Sequence, residues 1–198
     1  MPVSLTIDTD SKLLRRQLRQ LRAALVSDEE IGATIGFAGE ALFKRHLIDE
    51  GYVGRINALG GDSTGFWRSV HDSIGNEPAG DASAIVYVLH RGYRLRLEGG
   101  EVRPVTRKAL SIPVHPSAHG LNASEYPQPL IYISDDAGAT VAGLWTKGED
   151  GTLGDLIYVL RTKTTHPADP EAAPHSYDWF DVISDALGDL IDAATEST

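Results

Sequence analysis

The chain has 198 residues, 41% of them hydrophobic and 23% charged, with a net charge of −10 and no cysteine. That length can bury a real core within one domain, and the missing cysteine excludes disulfides, thiolate metal sites and cysteine nucleophiles. The acidic balance argues against a protein that grips nucleic acid by neutralising phosphates.

The opening residues, MPVSLTIDTD, carry neither a basic segment nor an apolar run, so no signal peptide is expected. No apolar run approaches the ~20 residues of a bilayer span, so no membrane partner is expected either. Ser4 to Asp8 alternates, with Leu5 and Ile7 against polar neighbours, as a half-buried strand does. From Ser11 to about Leu25 the period becomes helical, with Leu14, Leu18, Leu21 and Leu25 on one stripe. Lys12, Arg15, Arg16, Arg19 and Arg22 take another face of that helix. Ser27, with Glu30 three positions on, starts a second helix as a capping box, and Ile31, Ile35, Ala38, Leu42 and His46 run toward a stop at Gly51.

Gly51 to Ser63 reads as a glycine-rich loop, and Thr64 as the cap of a short helix through Ile74 that carries Phe66, Trp67 and Val70. NEPAGD breaks the chain before a β-branched strand from Ala84 to His90. Tyr93 to Leu97 suits either a strand or a short helix, closed by Gly99-Gly100. Ala109–Val114 and Pro129–Ser134 read as strands, Asp135–Gly138 as a hairpin turn into Thr140–Thr146, and Gly148–Gly151 as a turn into the long strand Leu153–Thr164. Three prolines between His166 and Pro174 argue against regular structure there. Ser176 then caps a final helix to about Ala193, with Trp179, Phe180, Ile183, Leu187 and Leu190 apolar. Helices gather at the ends and strands in the middle. The class is therefore α+β, a mainly antiparallel sheet packed by two N-terminal helices and a C-terminal helix. The organisation expected is one domain over 1–198: a main body (1–164), a proline-rich connector (165–175) and an acidic C-terminal helix (176–198).

Candidate chemistry is sparse. Gly61-Asp62-Ser63-Thr64-Gly65 matches the GxSxG elbow of hydrolases, and Asp155 and His166 follow in workable order. No buried strand precedes the serine, and the bland reading is a glycine loop at a helix cap. His115 and His119 are four apart, the spacing of two metal ligands on a helix, but Pro113, Pro116 and Gly120 argue against a helix there. Neither a catalytic set nor a cofactor is expected. Trp67, Trp145 and Trp179 fall on apolar faces and read as core, with a subunit interface as the alternative.

The charges are more informative. After Lys163 there is no Lys or Arg, while eight acids follow. Asp178, Asp181, Asp185, Asp189, Asp192 and Glu196 recur every three or four residues, one narrow ridge along a helix. Like charges at that spacing repel by about 0.2–0.5 kcal/mol per pair. The ridge is either a solvated face or a surface that meets a basic helix of a neighbour or another protein; facing DNA, it would repel the duplex and let it slide. The five N-terminal cations are its electrostatic counterpart.

The order of the pieces resembles a known family. LLRRQLRQLRAAL and IGATIGFAGEALFKRHL are followed by Thr64-Gly65-Phe66-Trp67-Arg68-Ser69-Val70. Leu97-Glu98-Gly99-Gly100-Glu101-Val102-Arg103-Pro104 comes next, then Arg107-Lys108-Ala109-Leu110-Ser111-Ile112-Pro113-Val114-His115-Pro116. LIYVLRTKTT and a last helix complete the series. This series resembles tailed-phage virion morphogenesis proteins of the tail-completion and head–tail joining (neck) group, in which a GGxIxP-like turn and a kALxIPxhP-like strand recur. The resemblance marks Thr64, Gly65, Gly99, Gly100, Pro104 and Pro113 as structural motif residues. It implies a subunit of a ring, commonly sixfold, around the DNA channel of the virion, assembled in the bacterial cytoplasm. The partners implied are copies of itself and other head–tail connector or tail proteins, with DNA only as passing cargo, no catalysis and no cofactor. One departure is Thr165–Glu171, where family members carry an apolar, arginine-containing segment. Other readings of the chain are a small serine hydrolase using Ser63 and a non-phage adaptor domain.

Overall fold

The computed structural model describes residues 3–6, 12, 16–17, 19, 27–56, 59, 63–134, 142–148 and 151–196. The class is α+β with antiparallel sheets. The chain groups into two compact units, residues 1–53, 67–98 and 169–198 in the first and 54–66 and 99–168 in the second. No helix among the described residues is long and apolar enough to cross a membrane.

The first unit is built on a three-stranded sheet, β1 (Val3–Thr6), β2 (Ile74–Gly80) and β3 (Ser83–Val88), in the order β1-β3-β2. Ala84, Val86 and Val88 alternate inward along the central strand, the pattern expected of one covered face. Ile74–Gly80 corrects the expectation of a helix end followed by a break. Its polar, proline-containing sequence has little strand propensity, but the hairpin turn decides the matter. Asp81 and Ala82 both have positive φ (49° and 55°), the backbone of a two-residue turn whose twist matches paired strands. Pro78 is tolerated because β2 is an edge.

Helix α1 (Asp28–Asp49) covers that sheet. Its start follows the sequence: the Ser27 hydroxyl accepts the Glu30 N–H at 3.2 Å, and three acids occupy the first turn. The buried stripe differs from the one expected. It runs Ile31, Ile35, Gly39, Phe43, Leu47, with Gly32 and Gly36 beside it, whereas Ala38, Leu42 and His46 are only half-buried. The glycines explain the shift. A Cβ on Gly32 would lie 2.7 Å from the Ser83 carbonyl, and one on Gly39 would lie 2.9 Å from both Val86 Cγ2 and Trp179. At these positions the helix backbone itself is the contact surface, against the Ser83 carbonyl at Gly32 and against side chains at Gly36 and Gly39.

Helix α2 (Phe66–Asp72) ends before Ile74, shorter than expected, and Tyr93–Glu98 resolves the strand-or-helix alternative as helix α3. Helix α4 (Ser176–Glu196) buries Trp179, Ile183 and Leu187 against the unit. Phe43 meets Trp179 and Tyr93 edge-on at 6.1 and 5.9 Å, geometries favourable to aromatic pairs. The Trp179 indole donates to the Pro174 carbonyl at 3.2 Å and the Tyr93 hydroxyl to the Ala172 carbonyl at 3.1 Å, so their buried polar atoms are satisfied. Burial, with Tyr52 and Asp169 nearby, pushes the Tyr93 hydroxyl well above its ordinary pKa.

The second unit contains the ribbon of β4 (Gly100–Val102) with β9 (Thr164–His166). Its larger sheet joins β5 (Leu110–Pro113), β6 (Leu130–Ile133), β7 (Gly143–Lys147) and β8 (Leu153–Arg161) in the order β5-β8-β7-β6. The long final strand expected to Thr164 is thus divided after Arg161, because Thr164–His166 pairs with β4 instead of β5. The proline segment is also more regular than expected, beginning inside β9 and holding a 3-10 turn at Pro170–Ala172. Ala118, Ile157 and Tyr158 form the core of this unit, with Ala123, Tyr126, Leu130 and Leu144 around it. The expected Asp135–Gly138 turn, Glu149–Asp150 of the later turn, Ile7–Asp8 of the first strand and most of the first helix lie outside the described residues.

Candidate interaction surfaces

Along α4, Trp179, Ile183 and Leu187 take the inner face, so the four-residue spacing sends Asp181, Asp185, Asp189, Asp192 and Glu196 outward, all exposed. No ion pair reaches Asp181, Asp185, Asp189 or Asp192 among the described residues. Asp178 is different. It is half-buried, and its Oδ2 accepts the His175 N–H at 3.0 Å, so it closes the helix start and is not part of the open ridge. This also replaces Ser176 as the expected cap, since Ser176 is already the first helical residue.

Of the basic stripe, Lys12, Arg16 and Arg19 are helical and exposed, while Arg15 and Arg22 lie outside the described residues. Gln17 is half-buried, and its amide donates to the Ser184 carbonyl at 3.3 Å. The basic segment is therefore seated beside the acidic helix of its own chain through an uncharged side chain. Gln17 Oε1 and Ser184 Oγ at this contact are buried without a hydrogen-bond partner.

The motif residues sit at turns. Gly65 has φ +74° directly before α2, and the Ser63 hydroxyl accepts its N–H at 3.3 Å; no cap bond is formed by Thr64, which is exposed. Gly99 is required twice over: its φ is +72°, and a Cβ would lie 2.7 Å from the Ala168 nitrogen. Gly100 (φ 147°) opens β4, Pro104 follows that strand, and Pro113 ends β5 on a sheet edge, where a missing N–H costs least.

The chemical candidates resolve into local structure. Ser63 is exposed and holds the turn, Asp155 donates its N–H to the Thr146 hydroxyl at 2.9 Å, and Gly61 and Asp62 lie outside the described residues. His115 Nδ1 accepts the Ser117 N–H at 3.3 Å and lies 2.7 Å from its hydroxyl, which in turn contacts Tyr126 at 2.8 Å; this caps the 3-10 turn Pro116–Ala118. Among the described residues no three His, Asp or Glu side chains gather as a metal site would need.

Trp179 is core, Trp67 is half-buried against Tyr52 at 4.5 Å, and Trp145 is half-buried with its indole N–H unpaired. Exposed apolar residues on β6, Ile131 at 39% and Tyr132 at 60%, escape a reading of the sequence. Leu-Ile-Tyr-Ile looks like any buried strand, and only its place at the sheet edge uncovers it.

The chain matches no family model, no curated protein and no solved structure.

Proposed function

We propose that this chain is a non-catalytic structural subunit of a tailed-phage or prophage virion. In this reading, copies of it form a ring around the DNA channel at the neck or tail end. The observation that carries the reading is the ordered series of sequence pieces running from the arginine-rich helix to the last helix. Each piece is short, and the weight comes from their order over most of the chain. The turn geometry supports it: the Gly99–Gly100 corner demands glycine, and the Arg107–Pro116 piece frames one edge strand and the 3-10 turn after it. An open acidic ridge and exposed cations on one subunit also supply two unlike patches, as head-to-tail closure requires. Opposed charges would set register and choice of neighbour more than raw affinity.

Deleting the gene from its phage tests this directly. The expected result is a lysate of separate heads and tails, or of tails of aberrant length, restored by supplying the chain in trans. Intact infectious virions from the deletion would end the reading. Reversing Asp185, Asp189 and Asp192 to Lys is expected to lower incorporation into virions at low salt; unchanged incorporation would remove the ridge from the contact.

A further inference from the structure

We propose that copies of this chain join by sheet continuation, β5 of one copy adding to β6 of the next, with Tyr132 of the incoming strand seated in a cavity beside β5. The proposal deepens the ring reading and rests on it for the choice of a second copy as occupant. Neither outer side, of β5 or of β6, carries a strand among the described residues. Such edges are adhesive unless covered or blocked.

Strand direction, hydrogen-bond phase and sheet face are all consistent with this pairing. The first is strand direction. β5, β8, β7 and β6 alternate, so the two edges run in opposite senses, and a copy placed alongside in the same orientation presents β6 antiparallel to β5.

The second is hydrogen-bond phase. The Val114 N–H bonds the Ile157 carbonyl at 2.9 Å, so Val114, Ile112 and Leu110 address β8 and the Ser111 amide group points outward. On the other edge the Leu160 N–H bonds the Ala142 carbonyl at 3.0 Å. Gly143 and Trp145 then address β6, and their partners Ile133 and Ile131 address β7 in return. Tyr132 and Leu130 are left pointing outward, so Ser111 opposite Tyr132 makes a hydrogen-bonded pair, while Pro113 opposite Leu130 has no N–H to give.

The third is the sheet face. Ile112, Val159, Gly143 and Ile133 form one row across the sheet and share a face. With Ser111 opposite Tyr132, Ile112 meets Ile131 and Leu110 meets Ile133 on that same face, so apolar rows continue from copy to copy. Tyr132 falls on the opposite face, that of Pro113 and Tyr158. There the Tyr158 hydroxyl donates to the Leu121 carbonyl at 3.1 Å, which fixes the Leu121 loop on this side. An open cavity of about 420 Å³ lies there, lined by Pro104, Val105, Ser111, Leu121 and Ala123. It receives a tyrosine ring. Val105, 97% exposed, and Leu121 supply its apolar wall.

The contact uses two different patches, so it repeats and closes into a ring when the rotation between copies allows.

Sedimentation and native mass spectrometry of the full-length chain test the pairing. Ser111→Pro removes the outward N–H of β5, and Tyr132→Pro removes that of β6; neither N–H serves the chain's own sheet. Each variant alone is expected to be monomeric, and an equimolar mixture to give a 1:1 dimer and nothing larger, since one intact edge of each kind remains. Tyr132→Ser and Val105→Ser leave the backbone untouched and are expected to weaken self-association at least about tenfold, the scale of a lost interface anchor. Wild-type assembly in folded Ser111→Pro and Tyr132→Pro overturns the proposal, as does a mixture that stays monomeric. Should a proline variant fail to fold by circular dichroism, wild-type assembly in the two milder variants overturns it equally. Rings that persist in all variants place the interface elsewhere and leave the phage reading standing. The gene deletion decides the phage reading separately.

Discussion

The two units build their cores by different means, and the first buries far more apolar side chains than the second. In the first, a helix lies on a sheet, and three glycines let its backbone meet the Ser83 carbonyl and the Asn76, Val86 and Trp179 side chains, while Phe43 and Leu47 fill what remains. In the second, one sheet face is covered by an irregular loop, which Tyr158 of the sheet holds through the Leu121 carbonyl and Tyr126 of the loop ties to Ser117. A helix satisfies its own backbone groups, so its packing is limited by steric fit. A loop does not, so covering a sheet with one needs polar partners as well. The first unit is therefore expected to fail by collision or cavity, and the second by an orphaned polar group.

The largest effect on that contrast is Trp179→Ala. It empties the contact between α1 and α4 and leaves the Pro174 carbonyl unpaired, so unfolding free energy should fall by about 3–5 kcal/mol in chemical denaturation. Gly39→Val inserts atoms where Val86 and Trp179 already stand and should cost about 1–3 kcal/mol. A tolerated valine would mean that α1 is not held by close approach. In the second unit Tyr158→Phe keeps the ring and its edge contact with Tyr126, but orphans the Leu121 carbonyl. A loss of about 1–2 kcal/mol is expected there, against almost none for a purely steric core.

Glu40 carries the same contrast into titration. Burial alone would raise its pKa, but hydrogen bonds from Lys44 at 2.6 Å and Asn76 at 2.5 Å, with the Lys44 charge, outweigh it and hold the carboxyl below its ordinary 4.5. The folded state then binds fewer protons than the unfolded one. Its stabilisation is complete above the ordinary value and is lost as pH falls through the depressed one. Glu40→Gln should cost about 1 kcal/mol near neutrality and flatten stability against pH in that acid range. An unchanged acid limb would exclude the Asn76 bridge. The smallest effect is Ala82→Gly: relieving a positive φ at a non-glycine position should stabilise the hairpin by about 0.5 kcal/mol, read as a small rise in Tm.

Much of this architecture was legible in the chain. Ser27 with its acidic first turn marks the start of α1, and the Trp179–Ile183–Leu187 spacing shows the inner face of α4. The β-branched runs mark β3, β5 and β8. Those signals are local, since a cap needs a residue three positions away and a period needs only its own helix. The outward direction of Asp181, Asp185, Asp189 and Asp192 follows from the same spacing.

What the sequence determined by itself, then, was the kind and face of each strongly patterned element. Tertiary structure decided the partners. Ile74–Gly80 is a strand because a turn delivers it to β3, Thr164–His166 leaves β8 because β4 is there to pair with it, and Gly39 faces inward because Val86 and Trp179 leave space for nothing larger. Whether β5 and β6 are edges is set by which strands pair elsewhere in the sheet, a contact between residues far apart in the chain that no local pattern can carry.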